Sequence, residues 1–95
     1  MSDQSAIIIN SDSNESEYSH RLELLNNQRD EISDIQVEIR QDREKLFSLF
    51  KKYITRFSTQ AKTDIINLLA ELDESIEYTN MFIEDIDNDI NELFE

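Results

Sequence analysis

The sequence predicts an all-α protein: two long helices carrying heptad repeats, joined as a helical hairpin and preceded by a disordered tail. Three observations carry this. Among 95 residues there is no Gly, Pro or Cys, so the chain lacks the residues that make most tight turns. Apolar residues are 38% and charged residues 33% of the chain, a balance that suits a narrow apolar seam between helices better than a deep core. Two stretches step apolar residues by four and three over many heptads.

Residues 1–15 show no such period. They are Ser, Asp, Asn and Gln around Ile7-Ile8-Ile9, and they read as a flexible tail. The helical domain is expected over residues 16–95.

The first seam runs through Tyr18, Leu22, Leu25, Arg29, Ile32, Gln36, Ile39, Arg43, Leu46, Phe50, Tyr53 and Phe57. Leu22, Arg29, Gln36, Arg43, Phe50 and Phe57 are its a positions, and three consecutive ones are polar. The spacing predicts a helix over 16–57. The second seam, Ile65, Leu69, Leu72, Ile76, Thr79, Ile83, Ile86, Ile90 and Leu93, is interrupted only by Thr79. It predicts a helix over 62–95, with Leu69, Ile76, Ile83 and Ile90 at a.

The two seams are out of phase. Continuing the first past Phe57 would put Asn67 on it, so the register breaks in Ser58–Asp64. A single helix with a stutter would account for the slip, and so would a reversal near 58–62. Ser58, Thr59 and Thr63 are each suited to cap a second helix, although no Gly is present to end the first.

Charge favours the reversal. Residues 1–39 carry nine acids and two arginines, net −7; residues 40–62 carry seven bases and two acids, net +5; residues 63–95 carry eleven acids and no base, net −11. Folding near residue 60 lays the basic stretch beside the acidic arm, with Lys45 near Glu74 and Lys52 near Asn67 and Glu71. A parallel homodimer of rods would stack Arg29 on Arg29 and Arg43 on Arg43. An exposed ion pair is worth only ~0.2–1 kcal/mol, so charge here selects orientation more than it stabilises.

The apolar face is wider than two strands require. Phe47, Leu49 and Ile54 flank the first seam near the turn, and Ile66 and Leu68 flank the second. Burying such a side chain is worth about 1.5–3 kcal/mol, so further helices are expected to complete a coiled coil or four-helix bundle, as a homo-oligomer or a hetero-complex. The expected helix-partner interface is Leu25, Ile32, Ile39, Leu46, Phe47, Phe50, Tyr53, Phe57, Ile65, Leu69, Leu72, Ile76, Ile83, Ile86, Ile90 and Leu93. Arg29, Gln36 and Arg43 are expected to set its specificity. Polar a residues cost stability but fix register and partner number, and these would welcome Asp or Glu opposite them. Snorkelling, with aliphatic stems on the seam and heads in water, is the plainer reading.

Ala6-Ile7-Ile8-Ile9, followed by Ser and acidic residues through Glu17, resembles a SUMO-interacting motif. The resemblance covers about twelve residues of the chain. It implies a strand that adds to a sheet edge, with the acids meeting a basic rim. A strand docking on another partner, or an apolar accident in a tail, accounts for the same residues.

Asp85-Ile86-Asp87-Asn88-Asp89 opens like a calcium loop, but Ile90 stands where Gly is needed, and the helical seam continues through it. His20 is the single histidine, and with no Cys it cannot assemble a zinc site of the usual ligands. No nucleophile–base arrangement or Gly-rich phosphate loop is legible. No cofactor is expected, and the chain is not expected to be an enzyme.

Net charge −13 argues against direct nucleic-acid binding, and no apolar run approaches the ~20 residues of a membrane span. The first residues read as neither a secretory signal nor a transit peptide. With no Cys, this points to an intracellular site: cytoplasm, nucleus or virion. The expected function is a small structural or scaffold subunit that binds partner helices. One alternative is an acidic inhibitor, of the phage or viral kind, that mimics nucleic acid. Another is an adaptor recruited by SUMO through the Ile tail.

Overall fold

The computed structural model describes the backbone of residues 2–94 and the side chains of residues 16–94. The tail expected over 1–15, including Ile7, Ile8 and Ile9, lies outside the residues with described side chains. Two helices form an antiparallel hairpin: α1 spans Ser2–Tyr53 and α2 spans Thr59–Leu93, with a 3-10 turn, Ile54–Arg56, between them. No strand occurs among the described residues. α1 thus begins at Ser2 rather than at the expected residue 16, and its paired section begins at Tyr18.

The reversal is tighter and earlier than the turn expected near 58–62. α1 ends at Tyr53 and overwinds into the 3-10 turn, a common way to satisfy the last carbonyls of a helix. Phe57 (φ −80°, ψ 140°) and Ser58 (φ −64°, ψ 162°) are then extended and turn the chain back. No described residue has positive φ, so two extended residues do what a Gly cap usually does. Ser58 is the N-cap among the three candidates. Its Oγ accepts from the Ala61 N–H at 3.1 Å, and its carbonyl accepts from the Lys62 N–H at 3.0 Å. Thr59 and Gln60 are therefore helical already. Phe50 and Phe57 stack across the bend, with centroids 6.2 Å apart at 12°.

Moving the turn moves the register. Arg43 pairs with Asp73 and Tyr18 meets Phe94, so Lys45 lies level with the 67–71 stretch of α2, nearer the turn than Glu74. The two ion pairs among the described residues use neither Lys45 nor Lys52. The ammonium of Lys52 sits over the Tyr53 ring at 5.3 Å, and that of Lys51 over Phe47 at 4.6 Å.

The core is a single line of side chains. Leu69, Ile76, Thr79 and Ile86 are buried, all on α2 and all at a or d. The remaining seam residues are half-buried. The cross-section of 18 × 15 Å is that of two helices side by side.

Candidate functional site

The three polar a residues of α1 face a matching set on α2. Arg29 Nε donates to Asp87 Oδ1 at 2.6 Å. Gln36 Nε2 lies 2.8 Å from Thr79 Oγ1, 2.6 Å from Asn80 Oδ1 and 3.4 Å from the Ile76 carbonyl. Arg43 donates through Nε to Asp73 Oδ1 and through Nη2 to Asp73 Oδ2, the second at 3.3 Å. Arg29, Gln36 and Arg43 recur every seven residues, and so do Asp73, Asn80 and Asp87. The result is a ladder of three rungs, each joining an a residue of α1 to an e residue of α2. The carboxylates expected opposite these arginines are thus on the chain's own second arm.

Thr79, the polar member of the second seam, is buried. Its hydroxyl donates to the Ile76 carbonyl at 2.7 Å while accepting from Gln36. No buried side-chain nitrogen or oxygen lacks a partner among the described residues. The Asp73 hydrogen bond, with its charge, raises the Arg43 guanidinium above its ordinary pKa. A raised pKa makes the linked stability fully present below the ordinary value and lost only as pH climbs past the raised one.

The sixteen apolar interface residues named from sequence are all buried or half-buried, and it is the opposite arm that covers the seam. What lies outside it is more informative. Leu24, Ile35, Val37, Leu49, Ile54, Ile66, Leu68, Tyr78, Met81, Phe82 and Phe94 are 42–65% exposed. Leu49, Ile54, Ile66 and Leu68 belong to the over-wide face read from sequence. Leu24, Ile35, Tyr78, Met81 and Phe82 escape that reading, because they stand off the a/d line. For all but Met81, which is at f, the signal is in the positions g and c: Ile35 and Phe82 are at g with Leu49 and Leu68, and Leu24 and Tyr78 are at c.

These positions give the hairpin two unlike flanks. In an antiparallel pair, g lies beside g and e beside e. The rungs run along the e edge, which also carries exposed Val37 at b and Ile54, Ile66 and Phe94 at e. The opposite edge carries the six exposed apolar residues at c and g. A groove of about 300 Å³ between Arg21, Leu25, Asp89, Glu92 and Leu93 marks this second edge near the open end. There Tyr18 donates its hydroxyl to the Leu93 carbonyl and meets Phe94 edge-on, centroids 5.9 Å apart.

Comparison with family models, curated proteins and solved structures finds no match. The chain's own chemistry is therefore the basis for reading its function. α2 passes without a break through Asp85–Asp89, and His20 is exposed. No group of three His, Cys, Asp or Glu side chains is placed to hold a metal among the described residues. No described helix is long and apolar enough to cross a membrane.

Proposed function

We propose that this chain is a coiled-coil structural subunit that binds helices of partner proteins within a larger assembly, and that it acts by binding rather than catalysis. One observation carries the reading. Among the described residues, eleven large apolar side chains remain 42–65% exposed and four residues are buried. Scattered exposed apolars are ordinary on a protein surface. Six on one flank of a two-helix unit, four at the g positions adjoining the seam and two at c just outside them, are what a further helix covers in a bundle.

The nucleic-acid-mimic reading draws on the same acidic α2, but Asp73 and Asp87 are engaged by arginines. The SUMO reading rests on Ile7, Ile8 and Ile9, outside the described side chains.

Light scattering on a size-exclusion column, followed by anisotropy titrations with acidic, neutral and basic amphipathic helical peptides, tests the proposal. Self-association or binding of at least one peptide is expected, weakened by Leu49→Glu with Leu68→Glu or by Tyr78→Gln with Phe82→Gln. A monomer that binds none of the peptides would end it.

A further inference from the structure

From the partner-helix reading, on which this rests, we infer the occupant of the c/g flank at the open half of the hairpin: a basic amphipathic helix from a different protein. The apolar part of the site is Tyr78 and Phe82 on α2, 53% and 55% exposed, with Ile35 (51%) and Leu24 (48%) on α1. Tyr78 and Phe82 are four residues apart on one helix face, and the cross-arm contacts of Gln36 with Thr79 and Asn80 set the neighbouring Ile35 beside the same stretch of α2. This is the spacing with which a groove receives the i, i+3 and i+4 anchors of a docked helix.

The charge around it specifies the partner. Residues 16–38 carry six acids and two arginines, and residues 78–94 carry five acids and no base, so the open half is net −9. The turn half, residues 39–77, carries seven acids and seven bases and is neutral. One arginine of the open half, Arg29, is already held by Asp87. Asp85, Asp89 and Glu92 lie at c and g, on the same flank as the aromatic pair. α2 also ends here with no basic residue in its last turn, so the negative pole of its dipole is met by more negative charge. A cationic helix laid along this flank would relieve both.

The same charges disfavour a second copy. Two hairpins aligned turn to turn would press one −9 half on another. Reversed, they would set each −9 half against a neutral one and gain little. Like-charge juxtaposition rejects partners at an interface as effectively as complementarity selects them.

The test uses the full chain and three designed peptides with one Leu heptad seam, flanked by Lys, Gln or Glu. The Lys peptide is expected to bind one-to-one, about tenfold or more tighter than the Gln peptide, with affinity falling as salt rises; the Glu peptide should not bind. Tyr78→Gln with Phe82→Gln, or Ile35→Gln alone, should weaken the Lys peptide about tenfold or more. Val37→Gln, on the opposite flank, should leave it unchanged. All these side chains are exposed, and unchanged thermal unfolding of each variant separates lost docking from lost folding. Equal affinity for the Lys and Gln peptides would overturn the inference, as would indifference to the Tyr78 and Phe82 changes. So would a dimer that Tyr78→Gln with Phe82→Gln dissociates, since the occupant would then be a second copy. Those results leave the chain a helix binder. Only a monomer that ignores every peptide removes both conclusions.

Discussion

At the scale of single residues, the rungs are more informative than the apolar seam. Leu and Ile tolerate several registers, because one seam position resembles the next. Arg29, Gln36 and Arg43 do not, since each meets its partner only when the arms are aligned as observed. A slip of one heptad would set Arg29 opposite Asn80, Gln36 opposite Asp73 and Arg43 opposite Ile66, and both arginines would lose their carboxylates. The Arg29–Asp87 pair is 43% exposed on both sides, so its stabilisation is modest. Arg29→Ala is expected to cost no more than about 1 kcal/mol in urea unfolding. Arg29→Asp should cost more, and adding Asp87→Arg should recover most of the loss; a double mutant no better than the single would show that the rung does not couple the arms. Gln36→Leu with Thr79→Ile should raise the thermal midpoint and, by removing the polar layer, allow self-association visible by light scattering. A more stable chain that stays monomeric would deny the middle rung a part in specificity.

At the scale of elements, the heptads are legible in the sequence and the turn is not. Twelve seam positions in one run and nine in the next leave little choice about where the helices lie or which face they bury. The end of α1 has no such signature. Helix ends are commonly marked by Gly, and here a 3-10 turn and two extended residues, Phe57 and Ser58, replace it. Reading the sequence alone therefore places the turn too late, and the error carries into the pairing of Lys45 and Lys52. The rungs are half legible. The polar a residues of α1 announce a need for carboxylates, but α2 offers many acids, and only the seven-residue recurrence of Asp73, Asn80 and Asp87 singles out three positions. Ser58→Ala removes the one side-chain cap at the reversal and should cost about 1 kcal/mol. Ile76→Ala, at a buried position, should cost about 2 kcal/mol, the low end for such truncations because the site is only one helix deep. Phe82→Gln, outside the seam, should lie within about 0.5 kcal/mol of the parent. Urea unfolding of the three variants checks the order. An equal loss for Ile76→Ala and Phe82→Gln would mean that the buried line is misassigned.

At the scale of the whole molecule, charge and shape pull against each other. Twenty-two acids and nine bases share a body only 18 × 15 Å in section, so neighbouring acids crowd one another along it. Salt weakens the two ion pairs and also screens the repulsion. Acids exceed bases by thirteen, and only two pairs form among the described residues, so repulsion outweighs pairing. The thermal midpoint is therefore expected to rise between low salt and about 0.15 M, where the screening length shortens to ~8 Å. A fall over that range would mean that the rungs outweigh the repulsion.

The position of the reversal also has a mechanical consequence. Tyr18 and Phe94 meet at one end of the hairpin, with Ser58 at the other. A force applied across that end peels the arms apart one layer at a time, as a zip opens, rather than shearing all layers together. The Arg29–Asp87, Gln36–Asn80 and Arg43–Asp73 layers would then be met in succession, seven residues apart on each arm. Each would release roughly 50 Å of chain if the freed helices unravel. An optical-trap record should show three evenly spaced pauses at low force, and loss of the first pause when Asp87 is replaced by Asn.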